Sequence, residues 1–456
     1  MIFDKVLEIY QKYYICIHCL GRMFSLLSTN TTNYERGTSL LLSITMENHR
    51  NYISGDQVLR KEAINNLNLL AEKANYNPAQ RVLNNEGMSN KPCKSSPICH
   101  LCHNIFRKID LYISKANQIL AEIEFNNFLI GSSPSGEIIN QEDKFKTEFN
   151  ILEAESFKSH FNRVIGKQLM TNLKKDPEFN QPDVLLIFNI NFESFEIELI
   201  LKSLFIFGKY NKLIRGIPQT HWFCNNCNGK GCEICNYTGK QYLISVEELI
   251  SPEFIKETKA TDCKFHGAGR EDIDVRMLGT GRPFILELRN PKIRNIDLKK
   301  IERKVNKSNK RKVKIHNLRF SNKREVIKIK STAKITKKIY RAIVKAEKKI
   351  NESQFNQKLI ELKNTFESKE IHQRTPNRVS HRRVDKIRKK KIFRIDGKII
   401  KSNTFEFEIE TQGGTYIKEL INGDEGRTSP SFTEIFDNPL ECKELDVVEI
   451  SLDPIR

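Results

Sequence analysis

Apolar residues at the start of the chain recur at helical spacing. Ile2, Val6, Ile9, Tyr10 and Tyr13 share one face, and the pattern runs into Cys16-Ile17-His18-Cys19. Residues 38 to 90 keep the same period, with Leu59, Ile64, Leu67, Leu69 and Leu70 marking a mostly helical stretch that ends near the turn-forming Ser95-Ser96-Pro97. From 127 to 215 the period shortens. Phe128 to Ile130, Val184 to Ile190 and Glu196 to Leu201 read as strands around a helix-like stretch near 150 to 173. Gly131 to Asp143, with its Ser-Ser-Pro-Ser-Gly cluster, and Lys174 to Asp183, with two prolines, read as linkers. Beyond 245 the pattern predicts strands around Pro283 to Leu288, Glu325 to Ile329 and Thr404 to Ile409, and helices around 333 to 350 and 353 to 367. No repeat of solenoid period interrupts it. The fold class is therefore α+β, in four parts: a helical cysteine-bearing region (1–125), a compact α/β module (126–222), a cysteine-rich knuckle (223–245) and a mixed-sheet domain (246–456).

Length and composition fit that division. At 456 residues the chain exceeds one ordinary core, and 39% hydrophobic content can build several. No run approaches the roughly 18 apolar residues of a membrane span, and Met1 to Arg22 lacks the basic-then-apolar order of a secretory leader. The expectation is a cytoplasmic monomer without a membrane partner. Charge is more informative. Residues 1–250 carry 27 Lys+Arg and 26 Asp+Glu; of the totals of 76 and 56, 49 basic and 30 acidic residues remain for 251–456, a balance of +19. A polyanion, and nucleic acid above all, is the expected partner of that half. Arg374 to Arg394 alone holds ten Lys+Arg against one acid, with Val384, Ile387 and Phe393 interleaved, so the segment 370–395 is expected to grip an RNA backbone.

Most of the eleven cysteines fall in C-x-x-C pairs, which in a reducing compartment favour metal over disulfide. Cys16 and Cys19 with Cys99 and Cys102 would make one tetrahedral site. Cys224, Cys227, Cys232 and Cys235, with glycines between them, resemble the Cys-Gly repeats of DnaJ-type zinc modules and would make a second. Two structural zinc ions are expected, since four thiolates leave no open position. Cys93, Cys263 and Cys442 have no pair and read as small buried hydrophobes.

The stretch richest in chemistry is His266-Gly-Ala-Gly-Arg-Glu-Asp272-Ile-Asp-Val-Arg-Met-Leu-Gly-Thr-Gly-Arg-Pro-Phe284. A carboxylate at the end of a glycine-rich turn beside Arg270 suits a nucleophile; a salt-bridged hairpin turning at Gly279-Thr280-Gly281 is the structural alternative. The segment resembles the archaeal-type tRNA pseudouridine synthases of the Pus-ten family, whose signature joins Gly-Arg-Glu-Asp-x-Asp-Val-Arg to Leu-Gly-x-Gly-Arg-Pro-Phe. The likeness extends over Cys19-Leu-Gly-Arg22, Asn33-Tyr-Glu-Arg-Gly37, Arg215-Gly-Ile-Pro-Gln-Thr220, Arg374-Thr-Pro-x-Arg378-Val-x-His-Arg382-Arg383, Gly414-Thr-Tyr-Ile-Lys-Glu-Leu-Ile421 and Gly423-Asp-x-Gly-Arg427.

That resemblance implies a THUMP RNA-binding module within 126–222, a pseudouridine-synthase domain at 246–456, and isomerisation of uridine in the T-loop of tRNA, at position 55 and also 54, without an organic cofactor. It implies that Asp272 is the catalytic aspartate, that Tyr340 stacks on the uracil, and that Tyr416 and Lys418 lie on a strand that contacts the base and pairs a cation with the aspartate. Arg270 is expected to contact substrate. Lys212 and Arg215, with Lys209, are expected to serve the N-terminal module, and Arg378, Arg382, Arg383 and Arg427 the RNA backbone. Absent the likeness, Tyr340 reads as a core residue of an amphipathic helix with Ile335, Ile339, Ala342 and Ile343. Asp272 and Asp274, two apart, would share a face if extended, and Asp274 is expected to hold the turn or to pair with Arg276 or Arg282. The rival from another class is a non-catalytic zinc-containing tRNA-binding protein or chaperone.

Overall fold

A computed structural model of the chain describes residues 2–88, 97–332 and 336–454, apart from the side chains of Arg382 and residues 452–454; Cys93 and the Ser95-Ser96 turn lie outside the described residues. Two compact units result, residues 1–202 and 203–456.

The first unit begins with α1 (Ile2–Lys12), α2 (Ile17–Met23), α3 (Asn33–Ile53), α4 (Gln57–Glu72), α5 (Asn77–Asn85) and α6 (Ile109–Leu120). Their starts are written in the sequence. Thr32 and Glu35 form a reciprocal capping box on α3, and Asp56 accepts from the amides of Val58 and Leu59 at the start of α4. Gly21 and Gly37 let α2 and α3 touch backbone to backbone: a Cβ at Gly21 would lie 1.8 Å from the Asn33 carbonyl oxygen, and one at Gly37 2.2 Å from that of Ile17. The Cys-Leu-Gly-Arg and Asn-Tyr-Glu-Arg-Gly segments are thus one packing device. Its arginines are internal: Arg22 is buried against the Glu142 carboxylate, and Arg36 donates to the carbonyls of Leu27 at 2.8 Å and Ser28 at 2.9 Å.

A three-stranded sheet follows, β1 (Phe128–Pro134), β2 (Val184–Ile190) and β3 (Phe195–Leu201), with β1 parallel to β2 and β3 antiparallel to it. The expected linker at 131–143 is instead the end of β1 and the helix α7 (Gly136–Glu148), with Ser135 as the extended residue before the helix. Helix α8 (Phe157–Leu173) supplies Phe157, Phe161, Ile165 and Leu169 to the core beneath Val184, Leu186 and Phe188.

In the second unit β4 (Leu204–Lys212), α9 (Val246–Thr258), β5 (Asp262–Gly267), β6 (Arg276–Arg289), α10 (Leu298–Ser308), β7 (Val313–Ser321), α11 (Lys323–Thr332) and β8 (Thr336–Ala346) precede α12 (Glu352–Ser368), β9 (Ile371–Gln373), β10 (Arg388–Lys390), β11 (Ile392–Lys401), β12 (Thr404–Gln412), α13 (Ile417–Asn422), β13 (Thr428–Ser429), α14 (Phe432–Phe436) and β14 (Leu440–Pro454). The main sheet runs β11-β12-β8-β14-β6-β4-β7 with β5 added on β6, antiparallel except where β14 meets β6; β10, β9 and β13 form a small second sheet. Because β4 pairs with both β6 and β7, the unit begins at 203, not at 223 or 246 as the composition shift suggests.

Two expectations for elements fail. The helix expected at 333–350, of which 333–335 lie outside the described residues, is replaced over Thr336–Ala346 by the central strand β8, where Lys338, Tyr340, Ala342, Val344 and Ala346 are buried in alternation and both edges are paired, Tyr340 with Ile409 and with Val447. Conversely the strand expected at 325–329 is α11: Val326 and Ile329, three apart, face inward, and the Asn322 side chain accepts from the Glu325 amide at its start.

Candidate active site

The Gly-Arg-Glu-Asp segment lies between β5 and β6 and is held from below by buried charge. Glu271 and Arg282 pair at 2.7 Å with side chains 0% and 2% exposed. The Tyr210 hydroxyl donates to both Glu271 oxygens at 2.8 and 2.9 Å, and Gln219 donates to that hydroxyl at 2.8 Å and to the Gly269 carbonyl at 3.0 Å. Arg282 also donates to the Ala268 carbonyl at 2.9 Å. On the far side of Asp272 the ammonium of Lys212 binds the carbonyls of Ile217, Asp272 and Ile273 at 3.0, 3.0 and 3.1 Å. Burial pulls Lys212 down to about 8. Gly269 has φ +82°, and a Cβ there would meet Arg282 Nη1 at 3.1 Å, so the turn is glycine's by conformation and by space.

So clamped, the loop turns Asp272 outward. Its carboxylate, 32% exposed, meets Arg378 Nη1 at 2.8 Å, and Arg378 Nε binds the buried Glu419 at 2.6 Å. Beside it opens a cavity of about 470 Å³, with an apolar wall of Val275, Ile417, Leu445 and Val447 and with Tyr340 on the buried face of β8. Burial pushes the Tyr340 phenol up to about 12 against the opposing charge of Arg282. Tyr416 stands before α13, its hydroxyl accepting from Arg383 at 3.0 Å.

Asp272, Tyr340, Tyr416, Lys418, Arg270, Arg378 and Arg383 therefore line one cavity. Several expected roles change. Residues 272–275 form a turn closed by the Val275 amide on the Asp272 carbonyl at 3.1 Å, so Asp272 and Asp274 do not share an extended face. Lys418 sits on a helix rather than a strand and pairs at 2.5 Å with Asp274; Arg378, expected on the RNA backbone, is the cation on Asp272. Arg276 binds Asp446 instead of Asp274, and Arg282 binds Glu271. Lys212 is 0% exposed and cannot meet RNA. Arg215 is spent on Asp446, Glu444 and the carbonyls of Asp274 and Leu445, all in the second unit rather than the N-terminal module. Arg427 ties Asp385 and the Thr375 carbonyl together. Arg270 lies over the Trp222 ring, 5.3 Å from its centroid. The side chain of Arg382 lies outside the described residues. Within the basic segment, Lys386 and Lys389 are exposed. Sequence reading passed over Glu271, Arg282, Tyr210, Gln219 and Glu419 as site residues; the first two stand inside the motif, but nothing in chain order joins them to β4.

Both cysteine groups assemble. Cys16, Cys19, Cys99 and Cys102 are buried with their sulfurs within 4.8 Å of one another, as are those of Cys224, Cys227, Cys232 and Cys235. Tetrahedral metal–sulfur bonds of about 2.3 Å imply sulfur separations of roughly 3.8 Å; the structure has 3.7 Å for Cys16–Cys102, 3.9 Å for Cys224–Cys232 and 3.8 Å for Cys227–Cys235. Disulfides, at about 2.05 Å, are excluded for these pairs, and both sets can hold a metal ion. Cys263 and Cys442 are only partly buried.

Residues 205–451 match the family model described as Pus10, C-terminal, and residues 112–189 that of the Pus10 THUMP domain, archaeal. A protein of Methanocaldococcus jannaschii named tRNA pseudouridine synthase Pus10 is 42% identical over 448 residues, 97% of this chain and 93% of its own. One of the same name from Methanopyrus kandleri is 37% identical over 98% of each chain. Among solved structures a Cbf5-Nop10-Gar1 complex aligns over 45% of each chain at 16% identity and a TM-score of 0.27. With matched models over the THUMP segment and nearly all of the second unit, and full-length relatives at this identity, the chain belongs to the Pus10 family of tRNA pseudouridine synthases.

Proposed function

We propose that the chain isomerises uridine to pseudouridine in the T-loop of tRNA, at position 55 and also at 54, with Asp272 as the nucleophile and no organic cofactor. The observation that carries this reading is one partly exposed carboxylate, fixed by a buried clamp, at the edge of an apolar-walled cavity that Tyr340 also lines. The Asp272 carboxylate bonds to ribose C1′ as the C1′–N1 bond breaks, its electron pair leaving with the uracil. The freed ring turns, C5 bonds to C1′, and the carboxylate departs; C5 loses a proton and N1 gains one, so nothing is consumed. Extrusion of the uridine forfeits stacking that the Tyr340 face replaces, worth roughly 1–3 kcal/mol. Because burial holds the Tyr340 proton to about 12, the phenol stays protonated at neutral pH and can pass a hydrogen bond to the base. Tyr416, Lys418 and Arg270 border the base, Arg378 orients the carboxylate, and Arg383 with the exposed lysines of 386–389 meets phosphates. The THUMP segment grips the tRNA, and two structural zinc ions hold Cys16, Cys19, Cys99 and Cys102 and Cys224, Cys227, Cys232 and Cys235.

The test is incubation with unmodified tRNA transcript followed by site-resolved pseudouridine mapping. Expected is pseudouridine at 55 and 54 with the native chain and none with Asp272→Asn. Product from the variant, or product only outside the T-loop, refutes the reading; tight tRNA binding without any product favours the chaperone instead.

A further inference from the structure

The strand that presents Tyr340 presents a second side chain to the same cavity. Lys338, two residues earlier on β8, shares Tyr340's buried face, and both line the cavity beside Asp272. At about 3.3 Å of rise per residue the two leave the strand roughly 6.6 Å apart, within reach of opposite parts of one stacked base. Lys338 is only 6% exposed, yet among the described residues its ammonium has no hydrogen-bond or ion-pair partner. Its nitrogen lies beside Gly269, 3.4 Å from where a Cβ would stand, with Arg282 Nη1 at 3.1 Å from the same point. The acid whose charge acts on it, Glu271, is already taken by Arg282 and Tyr210. Burial and the like charges of Arg282 and Lys390 pull Lys338 down to about 7. An unpaired buried ammonium is a standing cost, relieved either by loss of its proton or by an incoming anion.

Resting on the proposed reaction, we propose that Lys338 is the cation that holds the uracil while it is detached from the ribose. When the C1′–N1 pair departs with the base, the charge spreads from N1 to O2 and O4. That charge is absent from the bound uridine, so an ammonium beside it acts on the transition state and not on ground-state affinity. No proton or bond is transferred to the lysine; its ammonium donates a hydrogen bond to the carbonyl oxygen that carries the negative charge and returns to its unpaired state when C5 bonds to C1′. A phosphate is the other anion of tRNA, but phosphates carry their charge throughout and are met at the rim, where Arg383 and Lys389 are exposed. Lys338 lies deeper, on the wall of the base.

Lys338→Met in the full chain tests this by single-turnover conversion of unmodified tRNA transcript alongside the equilibrium Kd. Expected is a rate lower by about 100- to 1000-fold with Kd within about threefold, and a thermal midpoint at or above the native one, since an unpaired amine has been replaced by an apolar chain of similar length. A merely structural lysine would lower the midpoint instead. The inference is overturned by a rate within about threefold of native, or by a loss lying wholly in Kd with the salt slope reduced by about one, the mark of a phosphate contact. Should the methionine variant aggregate, Lys338→Gln, which keeps a neutral donor, is read by the same criteria. Full conversion by Lys338→Met while Asp272→Asn is dead sinks this inference alone; conversion by Asp272→Asn sinks the reaction it rests on.

Discussion

Replacing Glu271 with Gln should damage both the fold and the chemistry. The pair it forms with Arg282 is among the most buried in the chain, and the amide keeps shape while removing the charge. Breaking one partner of a buried pair costs about 3–5 kcal/mol, because the other charge is left uncompensated. The amide oxygen can still accept from Tyr210 or Arg282, so the lower end, about 3 kcal/mol, is the expected loss. With a denaturant slope of roughly 5 kcal/mol per M, the guanidinium midpoint of the second unit falls by about 0.6 M. The chain's single tryptophan, Trp222, stacks on Arg270 next to the loop, so its fluorescence reports this unit's unfolding. Under native conditions conversion of transcript should fall by at least about 100-fold, since misplacing a catalytic group by 1 Å is enough for that. The double variant Glu271→Met, Arg282→Met should regain most of the lost stability without regaining activity, as apolar pairs often replace buried ion pairs. A Glu271→Gln protein with a midpoint shifted by less than about 0.2 M, or with native turnover, would refute the clamp.

Asp274→Asn should keep measurable turnover where Asp272→Asn has none, because Asp274 faces Lys418 rather than Arg378; the reverse result in transcript mapping places the chemistry on the wrong acid. Cys99→Ser with Cys102→Ser should halve bound zinc from about two ions per chain and unfold α1 to α6 selectively, read by metal analysis and circular dichroism; full zinc content contradicts the pairing across 83 residues. Lys386→Gln with Lys389→Gln should reduce the slope of log Kd against log salt by about two, and an unchanged slope would place these side chains away from RNA. Lys338 also predicts a pH dependence. Its folded value of about 7 lies below the ordinary 10.5, so the unfolded chain binds the extra proton between those values. Stability from this group therefore rises as pH increases through that window, and Lys338→Met should flatten the rise in denaturation midpoint.

The sequence displayed its paired cysteines and its glycine-rich loop more plainly than its strands. C-x-x-C pairs are local geometry, and the α3 and α4 caps are three-residue events, so each could be read without knowing the fold. By contrast β8 looks helical because Ile339 and Ile343 are four apart, and only its two paired edges make the alternation Lys338, Tyr340, Ala342, Val344 decisive. The Ser-Ser-Pro-Ser-Gly cluster reads as a linker because strand end and helix start follow each other with only Ser135 between them. For the site, Asp272, Tyr340 and Tyr416 could be named from motifs. Lys212 could not: a lysine in a basic protein suggests phosphate, and nothing nearby in sequence says that three carbonyls enclose it. Likewise Arg378 is one of ten basic residues between Arg374 and Arg394, and only the fold singles it out by placing Glu419 and Asp272 on either side.

Three buried cations converge on the loop that carries Asp272, and their partners differ in kind. Arg282 has a carboxylate, Lys212 has three carbonyl oxygens, and Lys338 has neither. The first two must be satisfied before substrate arrives, since they set where Asp272 stands, and both are satisfied within the chain. A cation that complements charge appearing only during reaction has the opposite requirement: a partner in the free protein would have to be displaced, and its loss would cancel the gain. An unpaired amine beside two fully paired cations is therefore the arrangement expected of a site whose target base enters neutral and becomes an anion only after the glycosidic bond has broken.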